Sequence, residues 1–138
     1  MKEIILPADS NELNNLFDFI RNSLNSFEVF ESLIIHLELA VEEIFINIVN
    51  HAFKDSDLED RNIHVRIEVE RDPLKIMITF KDKGIPFNPL KVLDPDTCLD
   101  ADQRKIGGLG IFIIKKNVDE MYYKYENGEN ILTIVKTI

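Results

Sequence analysis

Glu43 and Asn47 stand four residues apart in the run Glu42-Glu43-Ile44-Phe45-Ile46-Asn47-Ile48-Val49-Asn50-His51. In a helix that spacing leaves a carboxylate and an amide only about 40° apart around the axis, with Asn50 and His51 on neighbouring azimuths. Such a polar edge on an apolar helix can join a proton acceptor to a neutral oxygen ligand for a hard cation such as Mg2+. It can equally be the solvated side of an otherwise buried helix.

A second group, Asp82-Lys83-Gly84-Ile85-Pro86-Phe87-Asn88-Pro89, follows directly on an apolar stretch. A carboxylate at a strand end, next to a glycine that lets backbone approach closely, can accept a hydrogen bond from an exocyclic amine such as that of adenine. Asp-x-Gly also marks ordinary turns, but two prolines and a phenylalanine fit a plain hairpin turn poorly. The third group is Arg104-Lys105-Ile106-Gly107-Gly108-Leu109-Gly110, leading into an apolar run. Free N–H groups at the start of a helix can face an anion there, and the two cations can reach phosphate oxygens. The Gly-Lys-Ser/Thr ending of a Walker A loop is missing.

The elements that must position these groups follow from hydrophobic period. Ile4 to Leu6 predict a short strand that stops at Pro7. Asp9 or Ser10 can cap a helix carrying Leu13, Leu16, Phe17, Ile20 and Leu24. A second helix is predicted from about Glu28 to Phe53, with Leu33, Leu37, Val41, Ile44 and Ile48 on one side. Ile63, Val65, Ile67 and Val69 alternate with polar residues, as do Leu74, Ile76, Ile78 and Phe80, which predicts a strand pair around Asp72-Pro73. Periodicity then vanishes between Asp82 and Ile106, and loops of that length inside compact domains are usually functional lids or disordered. A short helix over Ile111–Lys116 and a hairpin about Asn127-Gly128 close the chain. This order predicts a single α+β domain over residues 1–138: a two-layer sandwich of a mostly antiparallel, mixed sheet with helices on one face.

Composition excludes several functions. At 138 residues the chain is the size of one domain, and its formal net charge of −9 argues against phosphate-backbone binding, so no nucleic-acid partner is expected. Cys98 is the single cysteine and cannot form an internal disulfide. His36, His51 and His64 are too scattered for a zinc site. The N-terminus lacks the basic start and apolar stretch of a signal peptide, and no segment nears the ~20 apolar residues of a membrane span. A cytoplasmic protein without membrane attachment is expected.

Taken together, the helix with Glu43 and Asn47, the Asp82-x-Gly84 strand end, the lid and Gly107-Gly108-Leu109-Gly110 resemble the GHKL superfamily of gyrase, histidine kinase and related ATPases. Val41-Glu42-Glu43 through His51-Ala52-Phe53, with Asp82-x-Gly84-x-Pro86-Phe87-Asn88-Pro89, is most similar to the anti-sigma-factor serine kinases of RsbW type. Pro86, where the wider superfamily has a second glycine, favours that subfamily.

The resemblance implies ATP and Mg2+ as ligands, with Glu43 as the catalytic base and Asn47 as the metal ligand. Asn50 and His51 would line the phosphate side. Asp82 would meet adenine, with Gly84 beneath the base and Phe87 beside it, while Arg104, Lys105, Gly107, Gly108, Leu109 and Gly110 would surround the phosphates. Thr133 resembles a threonine placed near the adenine site. The implied partners are an anti-anti-sigma-type antagonist protein and a sigma factor or similar regulator, with a homodimer as the expected assembly. A nucleotide-gated binding module without phosphotransfer would keep Asp82 and the glycines but need no working Glu43.

Overall fold

The computed structural model describes residues 1–53, 60–91 and 108–138. In chain order these form β1 (Lys2–Pro7), α1 (Leu13–Leu24), α2 (Glu31–Asn47), β2 (Asn62–Glu70), β3 (Lys75–Asp82), α3 (Gly108–Asn117), β4 (Glu120–Glu126) and β5 (Glu129–Thr137). The strands make one sheet in the order β1-β2-β3-β5-β4. Every adjacent pair is antiparallel, so the described sheet has no parallel member of the kind a mixed sheet would include.

Alternation decides which face of the sheet is covered. Ile63, Val65 and Ile67 on β2, Ile76, Ile78 and Phe80 on β3, and Leu132 and Ile134 on β5 are all buried. They meet Leu16, Ile20 and Leu24 of α1, Leu37, Val41, Ile44 and Phe45 of α2, and Ile111 and Ile114 of α3 in one core. Each such aliphatic side chain is worth roughly 1.5–3 kcal/mol on burial. The opposite face carries His64, Arg66, Lys81 and Thr133, the out-of-phase residues of the same strands.

Local chemistry sets the ends of these elements. Asp9 accepts a hydrogen bond from the Asn11 N–H at 2.9 Å and starts the first helical segment. α2 begins at Glu31, three residues later than its apolar pattern predicts. Phe30 is extended (φ −62°, ψ 141°), and its carbonyl accepts the N–H groups of Leu33 and Ile34. Arg21 of α1 bridges Glu31 at 2.7 Å and also Glu38, tying the two helices together. Beyond Asn47 the helix widens into a π turn, Ile48–Ala52, closed by Phe53 N–H to Ile48 O at 3.1 Å. The β4–β5 hairpin turns through Asn127 (φ 56°) and Gly128 (φ 78°), both left-handed as a type I′ turn requires. No described helix is long and apolar enough to cross a membrane.

Candidate functional site

Asp82 ends β3 on the core side of the sheet and is 3 % exposed. Its Oδ1 accepts hydrogen bonds from the Gly84 N–H and the Asn130 Nδ2, both at 2.9 Å. No partner of Oδ2 occurs among the described residues. Burial pushes the Asp82 carboxyl above the usual carboxylate range, opposed by the bonds from Asn130 and Gly84. A buried carboxylate oxygen without a donor is costly, and a ligand N–H would satisfy it.

The carboxylate borders a cleft also lined by Ile44, Asn47, Phe87, Tyr123 and Leu132. Its apolar walls suit a flat ring, and Asp82 is the only acidic liner among the described residues. The room between the described liners is about 20 Å³, close to what one water needs.

Gly84 is fixed by α2. A β-carbon there would lie 2.4 Å from the Ala52 carbonyl oxygen, which already accepts the Ile85 N–H at 2.9 Å. The π turn thus delivers the end of α2 against the strand end, leaving no space for a side chain. His51 in that turn is exposed, and its ring stacks on Phe87 with centroids 4.9 Å apart and planes 15° from parallel.

Next to Asn47, which also lines the cleft, α2 and the start of α3 meet. A β-carbon on Gly110 would lie 2.7 Å from Glu43 Oε2 and 3.9 Å from Asn47 Nδ2. The first turn of α3 therefore faces the carboxylate and the amide directly. Glu43 is half-buried, and burial, helped by the neighbouring Glu42 charge, raises its pKa above the ordinary glutamate range. A carboxyl shifted upward in this way suits proton acceptance better than a free surface glutamate does.

The structure brings Glu43, Asn47 and Gly110 together at one end, and Asp82, Gly84 and Phe87 at the other. Gly108 and Leu109 form the first turn of α3, one residue after the glycine run begins and three before the predicted helix start. Asn50 is exposed and does not line the cleft. Arg104, Lys105 and Gly107 lie outside the described residues.

Thr133 departs from its expected place. It pairs with Thr79 on the opposite face of the sheet, hydroxyl to hydroxyl at 3.1 Å, because it is one residue out of phase with the core-facing Leu132 and Ile134. The polar β5 residue beside Asp82 is Asn130, which shares the phase of Leu132 and lies directly across from Asp82. Sequence reasoning missed Asn130 and Tyr123, although strand parity counted back from Leu132 would have found the first.

No cluster of three or more His, Cys, Asp or Glu side chains able to hold a metal occurs among the described residues. The Asn47 amide beside the Glu43 carboxylate does fit a Mg2+ that takes most of its ligands from phosphates and water, the usual habit of that ion.

Residues 6–136 match the family described as the histidine kinase-like ATPase domain. The serine-protein kinase RsbW of Listeria monocytogenes is 32% identical over 111 residues, covering 78% of this chain and 66% of that one. The RsbW of Bacillus pumilus is 34% identical over 94 residues, covering 67% and 58% respectively. The chain thus spans 58–66% of the length of these curated relatives. Among solved structures, the SiaB–SiaC complex of Pseudomonas aeruginosa matches with a TM-score of 0.66 at 14% identity, over 100% of this chain and 90% of that one. The RsbU and RsbW domains of a Mycobacterium tuberculosis protein match with a TM-score of 0.65 at 15% identity, over 99% and 32%. At such identities these two matches speak for the fold, and the family match speaks for descent. The chain belongs to the histidine kinase-like ATPase domain family.

Proposed function

We propose that this chain binds Mg-ATP and transfers the γ-phosphoryl group to a serine of a small anti-anti-sigma-type antagonist protein. The transfer is coupled to reversible sequestration of a sigma factor or a similar regulator. The observation that carries this reading is a cleft lined by both Asp82, one of whose buried oxygens has no donor among the described residues, and Asn47, with Glu43 next to Asn47 against the start of α3 at Gly110.

In this reading the adenine amine donates to Asp82 Oδ2, and the apolar liners Ile44, Phe87 and Leu132 flank the ring. The N–H groups opening α3 at Gly108, Leu109 and Gly110 face the phosphates, with Gly107, Arg104, Lys105 and Asn50 completing their surroundings, while His51, stacked on Phe87, stands on the base side. Asn47 is the protein ligand for Mg2+, whose contribution when bound is to neutralise phosphate charge. Glu43 takes the proton of the serine hydroxyl as the serine oxygen bonds to phosphorus. The bond to the β–γ bridging oxygen breaks and ADP leaves. Because phosphoryl transfer passes through a loose transition state, positioning and electrostatics supply most of the acceleration. A single-domain, cytoplasmic homodimer is the form in which we propose that it acts.

The test is transfer of label from γ-labelled ATP to a purified anti-anti-sigma-type protein of the same organism, for the wild type and Glu43→Gln. Loss of general base action typically lowers rate about 10²–10⁴-fold, so transfer should fall by that order while ATP binding stays within roughly threefold. Full transfer by Glu43→Gln would remove the proposed base. Binding of ATP without any transfer by the wild type would favour a nucleotide-gated binding module instead.

A further inference from the structure

Asn130 is 4 % exposed, and its amide makes four hydrogen bonds. Nδ2 donates to Asp82 Oδ1 and to the Ile85 carbonyl, each at 2.9 Å. Oδ1 accepts from the Phe87 N–H at 3.0 Å and the Tyr123 hydroxyl at 2.6 Å. An asparagine amide has two donor hydrogens and two acceptor lone pairs, so this one is saturated. Its orientation is also fixed by chemistry: the Phe87 N–H can only donate and the Ile85 carbonyl can only accept, and a flipped amide would oppose like groups at both.

A saturated amide has nothing left with which to read a ligand. What it does is hold the carboxylate that can. With Oδ1 occupied by Asn130 and Gly84, Asp82 is left with Oδ2 alone to offer the cleft. The same amide grips Ile85 and Phe87, the first residues past the strand, and so sets the wall that Phe87 contributes to that cleft.

Resting on the nucleotide reading above, we propose that Asn130, braced by Tyr123, is a positioning residue that sets base specificity by aiming Asp82 Oδ2 at an amino-bearing purine edge. A 6-amino purine presents a donor to that oxygen. A 6-oxo purine presents an acceptor and is repelled. Removing the Asn130 amide frees the carboxylate to rotate toward its remaining Gly84 N–H or toward water, and the distinction between the two edges is lost.

The test compares ATP with inosine triphosphate by calorimetry for the wild type, Asn130→Ala, Asn130→Thr and Tyr123→Phe, each checked for folding by thermal melting. The wild type is expected to prefer ATP. Asn130→Ala should weaken ATP binding at least tenfold and inosine triphosphate binding less than threefold, so that the ratio collapses. Asn130→Thr, which restores one hydroxyl donor, should recover part of the preference. Tyr123→Phe deletes a single brace from a half-exposed residue and should lower the ratio by a smaller factor, which keeps the test usable if Asn130→Ala does not fold. Equal weakening of both nucleotides in the variants, or an unchanged ratio, would overturn the role of Asn130 while leaving the nucleotide site standing. Binding of neither nucleotide by a folded wild type would overturn the nucleotide reading and this proposal together.

Discussion

The Asp82 end of the cleft and the Glu43 end are held in different ways. At the Asp82 end the polar bonds run between neighbouring strands and the residues just beyond them: Asp82, Gly84, Ile85 and Phe87 from one side, Asn130 and Tyr123 from the other. At that end antiparallel register places Asp82 opposite Asn130, and the Ala52 carbonyl at the end of α2 holds Ile85 beside them. At the Glu43 end the functional groups sit on two helices, and their alignment depends on how α2 packs against α3 at Gly110. The contrast suits a two-part task. Recognition of a base needs a fixed acceptor, whereas group transfer to a protein needs a face that a partner can reach.

The largest effect should come from filling the contact that couples the strand end to α2. Gly84→Ala puts a β-carbon 2.4 Å from a backbone oxygen that cannot step aside. Overpacking of this kind typically costs about 1–3 kcal/mol. Thermal melting should show the loss, with ATP binding weakened alongside it. An unchanged melting temperature would mean that the two ends are not coupled through Ala52.

Acidity separates the two ends next. Asp82 must be ionised to accept from an adenine amine, and burial raises its pKa. ATP binding should therefore fade on acidification before ordinary carboxylates, near pH 3.9, begin to titrate, by up to roughly tenfold per pH unit below the Asp82 pKa. Stability of the free protein runs the other way. Between the unfolded and the raised folded pKa the native state holds more protons than the unfolded state, so the Asp82 contribution falls as pH rises through that window and then levels off. Denaturant titrations across the window should show this slope flattened in Asp82→Asn. A slope that persists in the variant would assign the effect to another group.

The smallest effect is expected at Thr133, on the far face of the sheet. Thr133→Val removes its bond to Thr79 and should leave the ATP affinity within about twofold, since an exchange of this kind costs only about 0.5–1.5 kcal/mol of stability. A large affinity loss would put Thr133 back at the site.

Much of this architecture was readable from period alone. The alternations in β2 and β3, the helical spacing of Leu37, Val41 and Ile44, and the Asn127-Gly128 turn each have one natural solution. Tertiary contacts decided what remained. Nothing in the local sequence says that the glycine at position 110 belongs inside a helix, because the reason is the Glu43 carboxylate brought from α2. The end of α2 likewise widens into a π turn at residues with ordinary helical patterning. Thr133 was misplaced by resemblance, where counting parity along β5 points to Asn130.

The central claim is that Asp82 Oδ2 is the acceptor for an adenine amine, and calorimetric titration of Mg-ATP into the wild type and Asp82→Asn tests it most directly. The asparagine keeps an oxygen for the Gly84 and Asn130 donors and turns only the cleft-facing atom from acceptor to donor. Saturable binding by the wild type, weakened at least tenfold in a variant that melts no lower, is the predicted result. Equal binding by both proteins, or none by a folded wild type, would contradict it.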